Sequence, residues 1–230
     1  MKPKINYGAI AVFYIIAIVC RYIAVKTDII SANVHDYIFI LLRGVGPALG
    51  AFAAIKIFSL ENPMSLKGIY RNLVLPFVVF WVLPAIVITT LFYFLYGTFP
   101  IVFAFTVLVY GLLEEIGWRG FLQEQLKGLP KFTSILIIAV LWFVWHLNLN
   151  MTPTNMIFLG IIFFGTWGIG KIYSKTGSLI AVAGVHSLNN FFVKGVRDQE
   201  LMVIIALLAV WITFVIVYDR KVTAKLALEN

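Results

Sequence analysis

The sequence predicts an all-α fold: a polytopic membrane bundle of about eight transmembrane helices forming a single integral membrane domain, 1–230. Three observations predict it. The chain is 62% hydrophobic and only 12% charged, with a mean hydropathy of +0.99, whereas soluble domains are about 45–50% apolar and ~25% charged. Its apolar residues gather in runs near the ~20 residues that a helix needs to cross a bilayer. Its basic residues are also shared unequally between alternate connections, as the positive-inside rule requires of a membrane protein.

The runs come in order at 7–25, 37–58, 73–96, 99–118, 132–149, 155–173, 178–193 and 201–218. The first has no small-residue cleavage site after its apolar core, so it reads as a retained span and not as a signal peptide. It holds Cys20, the only cysteine, which excludes an internal disulfide and reads as a small packing residue. The seventh run is short enough to be tilted or partly re-entrant. No internal repeat, low-complexity tract or long linker separates the runs.

With the N-terminus inside, thirteen of the eighteen Lys and Arg residues fall on the cytoplasmic side. Arg21, Lys26, Arg43, Lys194 and Arg197 fall outside, with Arg43 snorkelling toward the outer surface. An even number of spans then places both termini in the cytoplasm. The net charge of +8 does not signal nucleic acid, because no basic patch interleaves with exposed aromatics. The lipid bilayer and its anionic headgroups account for it.

The fourth run ends in GLLEEIGWRGFLQEQLKG, two adjacent glutamates and an arginine where charge is costly. Gly128-Leu129-Pro130 is the one strong helix stop between Leu112 and His146. From Leu129 back to Glu115 is about 21 Å along a helix, and forward to His146 about 26 Å. A helical hairpin turning there brings Glu114, Glu115 and His146 to similar depth. On the seventh run, His186 lies about 16 Å in from Lys175, with Asn190 one turn further on the same face.

An ionised residue at a helix centre costs ~2.5–3.5 kcal/mol. Glu115 and Arg119 are spaced i,i+4 and can pair, while Glu114 points about 100° away and has no such local partner. Blander readings exist for each residue alone. The EEIGWR segment could be a solvated helix end, and His146, His186, Asn189 or Asn190 could be interhelical hydrogen-bonding groups. His35 reads as a loop histidine. The common depth of Glu114, His146, His186 and Asn190 favours a reaction centre, with Trp142 as a candidate wall of its substrate pocket. HExxH, GxSxG and a Walker A loop are absent. Zinc held by two histidines and a glutamate is the minority alternative to a metal-free site.

At these residues the chain resembles the CPBP family of membrane proteases, the Abi-like group of CAAX prenyl proteases and bacteriocin-processing enzymes. The motifs are Glu114-Glu115-Ile-Gly-Trp-Arg119, Trp142-Phe-Val-Trp-His146 and His186-Ser-Leu-Asn-Asn190, in order on successive spans. The resemblance covers about 100–193, and Trp142 stands where phenylalanine is expected. It implies hydrolysis of a peptide bond of a membrane-bound peptide or protein by a glutamate-activated water, without a metal cofactor. Glu114 with His146 would then activate the water, and His186 and Asn190 would stabilise the oxyanion. Glu115 and Arg119 would hold their helix in register. The chain's small size implies a compact member from a prokaryotic cell membrane. A non-enzymatic bacteriocin-immunity protein, or a transporter using the acidic centre as a proton site, is the second reading.

Overall fold

The computed structural model describes residues 5–30 and 34–191, apart from the side chain of Asn189. The expected eighth span, 201–218, lies outside the described residues. Among those residues the secondary structure is entirely helical. The helices are α1 (Tyr7–Lys26), α2 (Asp36–Ile57), α3 (Val74–Tyr96), α4 (Ile101–Gln123), α5 (Lys131–Trp145), α6 (Pro153–Thr176) and α7 (Leu179–Phe191). Five of them, α1 to α4 and α6, are long and apolar enough to cross a membrane. Large apolar side chains such as Ile15, Phe94, Val102 and Phe164 are exposed around them. So much outward apolar surface suits contact with hydrocarbon better than contact with water.

Small residues decide how the first two helices pack. A Cβ at Gly46 would lie 2.8 Å from the Ala17 carbonyl, and one at Gly50 would strike the Phe13 carbonyl. On its other side α2 meets α4, where a Cβ at Gly117 would lie 2.7 Å from the Pro47 carbonyl. Association inside a bilayer depends on such close backbone approach. Gly50→Ala is therefore expected to destabilise the bundle by about 1–3 kcal/mol. Gly165→Ala, whose methyl meets open space, is expected to stay within about 0.5 kcal/mol of wild type. Melting curves of both variants in one detergent check this, and equal melting temperatures would refute it.

Pro47 lies inside α2 and has no N–H to offer the carbonyl of Arg43 one turn earlier. Arg21 of α1 fills the gap, its Nη1 donating to that carbonyl at 2.9 Å. Helix α1 is fastened to α5 as well: Tyr14 donates to the Leu141 carbonyl at 2.9 Å, and Trp145 Nε1 to the Ala17 carbonyl at 3.0 Å. Trp118, Phe13, Phe121 and Trp145 fill the space between, all fully buried.

Arg21, which charge counting assigns to the outer side, is a buried residue of α1, 5% exposed. One expectation is corrected here. The fifth run was expected to stay helical to 149, but α5 ends at Trp145. Leu147 takes a left-handed φ of 56°, and Asn148 turns away to exchange two amide hydrogen bonds with Asn155 at the start of α6. Side-chain amides that satisfy polar groups locally compete with continued helix. His35 also has a defined place, capping α2 by accepting from the Tyr37 N–H.

Candidate active site

The two glutamates close the α-wound part of α4. From Ile116 to Gln123 the helix is wound as a π-helix, a wider form with i→i+5 hydrogen bonds that recurs at functional sites. One turn before the glutamates, Gly111 lets α7 come close; a Cβ there would lie 3.1 Å from the Ala183 carbonyl. Ser187 fixes the crossing by donating to the Val107 carbonyl at 2.9 Å. His186, next to it in sequence, is thereby set against both carboxylates.

Glu115 and Arg119 are fully buried, and Glu114 is 1% exposed. Glu115 serves two cations or donors at once. Its Oε2 lies 3.2 Å from Arg119 Nε, the expected i,i+4 pair, and its Oε1 lies 2.7 Å from His186 Nδ1. The Arg119 contact is an ion pair without hydrogen-bond alignment, because none of the guanidinium nitrogens has a hydrogen-bond partner. The face of Trp142, 4.9 Å from the guanidinium carbon, supplies the rest of its surroundings.

Glu114 is not the bare acid that helix geometry alone suggested. Trp142 Nε1 donates to its Oε2 at 2.9 Å, and His186 Nε2 stands 3.9 Å from the same oxygen. Tyr110, one turn earlier, directs its phenol to this carboxylate. No sequence motif marked Tyr110; its i−4 spacing from Glu114 was the available signal.

Trp142 is the hub of the cluster. It holds Glu114 by its N–H, lies under Arg119, and meets the rings of His186 at 5.2 Å and Trp118 at 6.0 Å. It is 5% exposed and surrounded by the other site residues. Its carbonyl also orients His146, whose Nδ1 lies 2.8 Å away. A carbonyl only accepts, so Nδ1 carries the proton there and Nε2 is the ring's free position. The His146 ring is boxed in edge-to-face by Trp145 at 5.1 Å and Phe158 at 4.9 Å. His146 occupies the end of α5, immediately before the left-handed Leu147.

Asn190 lies one turn past His186 on α7, half-buried, its Nδ2 buried without a hydrogen-bond partner. The structure thus joins Glu114, Glu115, Arg119, Trp142 and His186 by direct contact. It sets His146 against Trp142 and leaves the Asn190 amide unspent. Among the described residues no group of three or more His, Cys, Asp or Glu side chains is disposed to hold a metal ion.

A search of curated proteins finds no match to this chain. Residues 96–192, the stretch that contains α4 to α7 and every residue of the three motifs, match the family model described as type II CAAX prenyl endopeptidase Rce1-like. The segment that builds the site is therefore similar to the Rce1-like type II CAAX prenyl endopeptidases.

Proposed function

We propose that this protein is an intramembrane endopeptidase that hydrolyses a peptide bond of a membrane-associated peptide or protein, with Glu114 and His146 activating water. The observation that carries this reading is the Glu114 carboxylate, buried between a tryptophan N–H and a histidine in a family of endopeptidases. Glu114, Glu115 and Arg119 together carry one net negative charge. An imidazolium at His186, with Glu115 2.7 Å from Nδ1, brings the sum to zero, the arrangement a low-dielectric interior favours.

The chemistry follows from where the protons sit. Water adds to the scissile carbonyl carbon as Glu114 takes its proton, a general-base step worth about 10²–10⁴ in rate. His146 Nε2, its other nitrogen held by the Trp142 carbonyl, accepts from the same water and aims it. The oxyanion gains hydrogen bonds from His186 Nε2–H and from the unspent Asn190 amide. On collapse the C–N bond breaks, and the proton on Glu114 passes to the departing amine. Glu115 orients His186 and balances Arg119, so it positions the reaction without touching it.

No step in this route calls for a metal. The purified protein should cleave members of a membrane-presented peptide library, and the rate should stay within about twofold of its starting value after treatment with a tight zinc chelator. Activity lost to the chelator and restored by Zn²⁺ would replace the glutamate–histidine mechanism with a zinc hydrolase.

A further inference from the structure

At the end of the bundle where the α4–α5 hairpin turns, a cavity of about 350 Å³ opens between that hairpin and α6. Its walls have two halves of different chemistry. The outer half carries Lys127, Lys131 and Lys171 against a single acid, Glu124, a net charge of +2. Lys127 is taken by Glu124 at 3.2 Å, whereas among the described residues no carboxylate pairs with Lys131 or Lys171. Helix α5 begins here at Lys131, and its cap residue, Pro130, gives the first N–H groups no side-chain acceptor. A bare helix N-terminus beside lysines without a counter-ion draws anions.

The inner half is apolar, with one exception. Leu129, Ile135 and Ile138 line it from the hairpin, and Trp167 lines it from α6. The exception is Thr166, 1% exposed, whose hydroxyl is buried without a hydrogen-bond partner. A helical threonine can return its hydroxyl to a carbonyl one turn back, as Thr106 and Thr176 do. Other polar groups of the cavity are engaged: Gln123 donates to the Gly170 carbonyl at 3.2 Å and to Ser174 at 3.1 Å, and Ser134 to the Leu126 carbonyl at 2.8 Å. A buried donor left unsatisfied is costly, so Thr166 calls for an acceptor from outside the protein. It lies five residues before Lys171, about 7.5 Å deeper along α6. A ligand shaped for this cavity carries an anionic group, an acceptor a few bonds deeper, and then hydrocarbon. A phospholipid has these in that order, as phosphate, ester carbonyl and acyl chain. Free phosphate would leave Thr166 unmet and the apolar half empty.

We propose that this cavity binds one anionic phospholipid, with its phosphate at Lys131 and Lys171, an ester carbonyl at Thr166 Oγ1 and an acyl chain along Trp167. Basic pockets between spanning helices bind such headgroups in other membrane proteins, and an indole suits the boundary between headgroup and hydrocarbon. Phe132, next to Lys131 in sequence, and Trp167 are both exposed, so hydrocarbon reaches the opening. The site is separate from the buried acidic cluster and does not depend on the hydrolytic reading.

The test uses the full chain in detergent and phosphatidylglycerol with a fluorophore on one acyl chain, binding being read by anisotropy. Unlabelled phosphatidylglycerol should displace the probe at a concentration at least about tenfold below that of phosphatidylcholine, as expected when two basic residues meet an anionic headgroup. Lys131→Gln/Lys171→Gln should bring that ratio to within about threefold of one. Lys56→Gln/Lys67→Gln removes the same charge from positions that do not line the cavity and should leave the ratio unchanged. Thr166→Val keeps the side chain's shape and gives up no hydrogen bond of the fold. It should weaken phosphatidylglycerol by about threefold or more, the worth of one hydrogen bond.

Equal displacement by the two lipids from wild type would overturn the site. So would a loss of preference in Lys56→Gln/Lys67→Gln as large as in Lys131→Gln/Lys171→Gln, which would mean a general attraction of a basic protein for anionic lipid. Inorganic phosphate that displaces the probe as completely as phosphatidylglycerol, at matched ionic strength, would replace the lipid with a free anion. Unchanged binding to Thr166→Val would take the lipid out of the cavity.

Discussion

Glu114→Gln is expected to lower kcat/KM by about 10²–10⁴, the contribution of a positioned general base, while the protein still inserts, purifies and melts within a few degrees of wild type. The amide oxygen of glutamine can still accept from Trp142 Nε1, the contact that holds this side chain at 2.9 Å. What it lacks is a basic electron pair for the proton of water. Steady-state cleavage and a thermal melt on the same preparation check both halves. Wild-type turnover in Glu114→Gln would remove Glu114 from the chemistry. A collapse in melting temperature would recast it as a structural acid.

Glu115→Gln is expected to do the reverse in emphasis, with stability failing first. Glu115 and Arg119 are fully buried and 3.2 Å apart, and the guanidinium has no hydrogen-bond partner to fall back on. Removing one member of such a pair leaves the other charge uncompensated, which costs about 3–5 kcal/mol. His186 loses its Nδ1 partner in the same stroke, so activity falls as well. Arg119→Met should melt low too, because Glu115 would then be left with His186 alone. The double variant Glu115→Gln/Arg119→Met buries no unpaired charge at these positions and should recover more than half of the lost stability. If the double variant melts as low as the two single losses summed, the pair is not coupled and the ion-pair account is wrong.

The parts of this molecule that depend on neighbours in sequence were legible before any coordinates. Among the described residues the apolar runs marked the helices to within a few residues. Gly128–Pro130 marked the hairpin, and the i,i+4 spacing marked the contact of Glu115 with Arg119. What was not legible depends on neighbours in space. The hydrogen bond from Trp142 to Glu114 joins residues 28 apart in sequence, and nothing in an indole's surroundings on its own helix announces where its N–H will go. Counting charges assigns Arg21 to a side of the membrane but cannot tell that its side chain is buried among helices, 5% exposed. The missing N–H of Pro47 was the one hint that the carbonyl of Arg43 needed a donor from elsewhere. The end of α5 at Trp145 escaped because Leu147 and Leu149 keep the run apolar while Asn148 is drawn to Asn155 on the next helix.

The π-winding of Ile116–Gln123 also governs how this chain tolerates changes in its own length. A segment wound in i→i+5 rings holds more residues than an α-helix joining the same two ends. A one-residue deletion between Arg119 and Gln123 can be absorbed by tightening to α winding. Glu115 then keeps Arg119, and the residue that ends the segment stays where Gln123 now reaches the Gly170 carbonyl and Ser174. A one-residue insertion has no such slack to use. It turns everything beyond it by about 100°, carrying the end of α4 off the Gly170 carbonyl and Ser174 of α6. The buried acidic cluster is thus built on a helix with a one-way reserve of length, open to shortening and closed to growth.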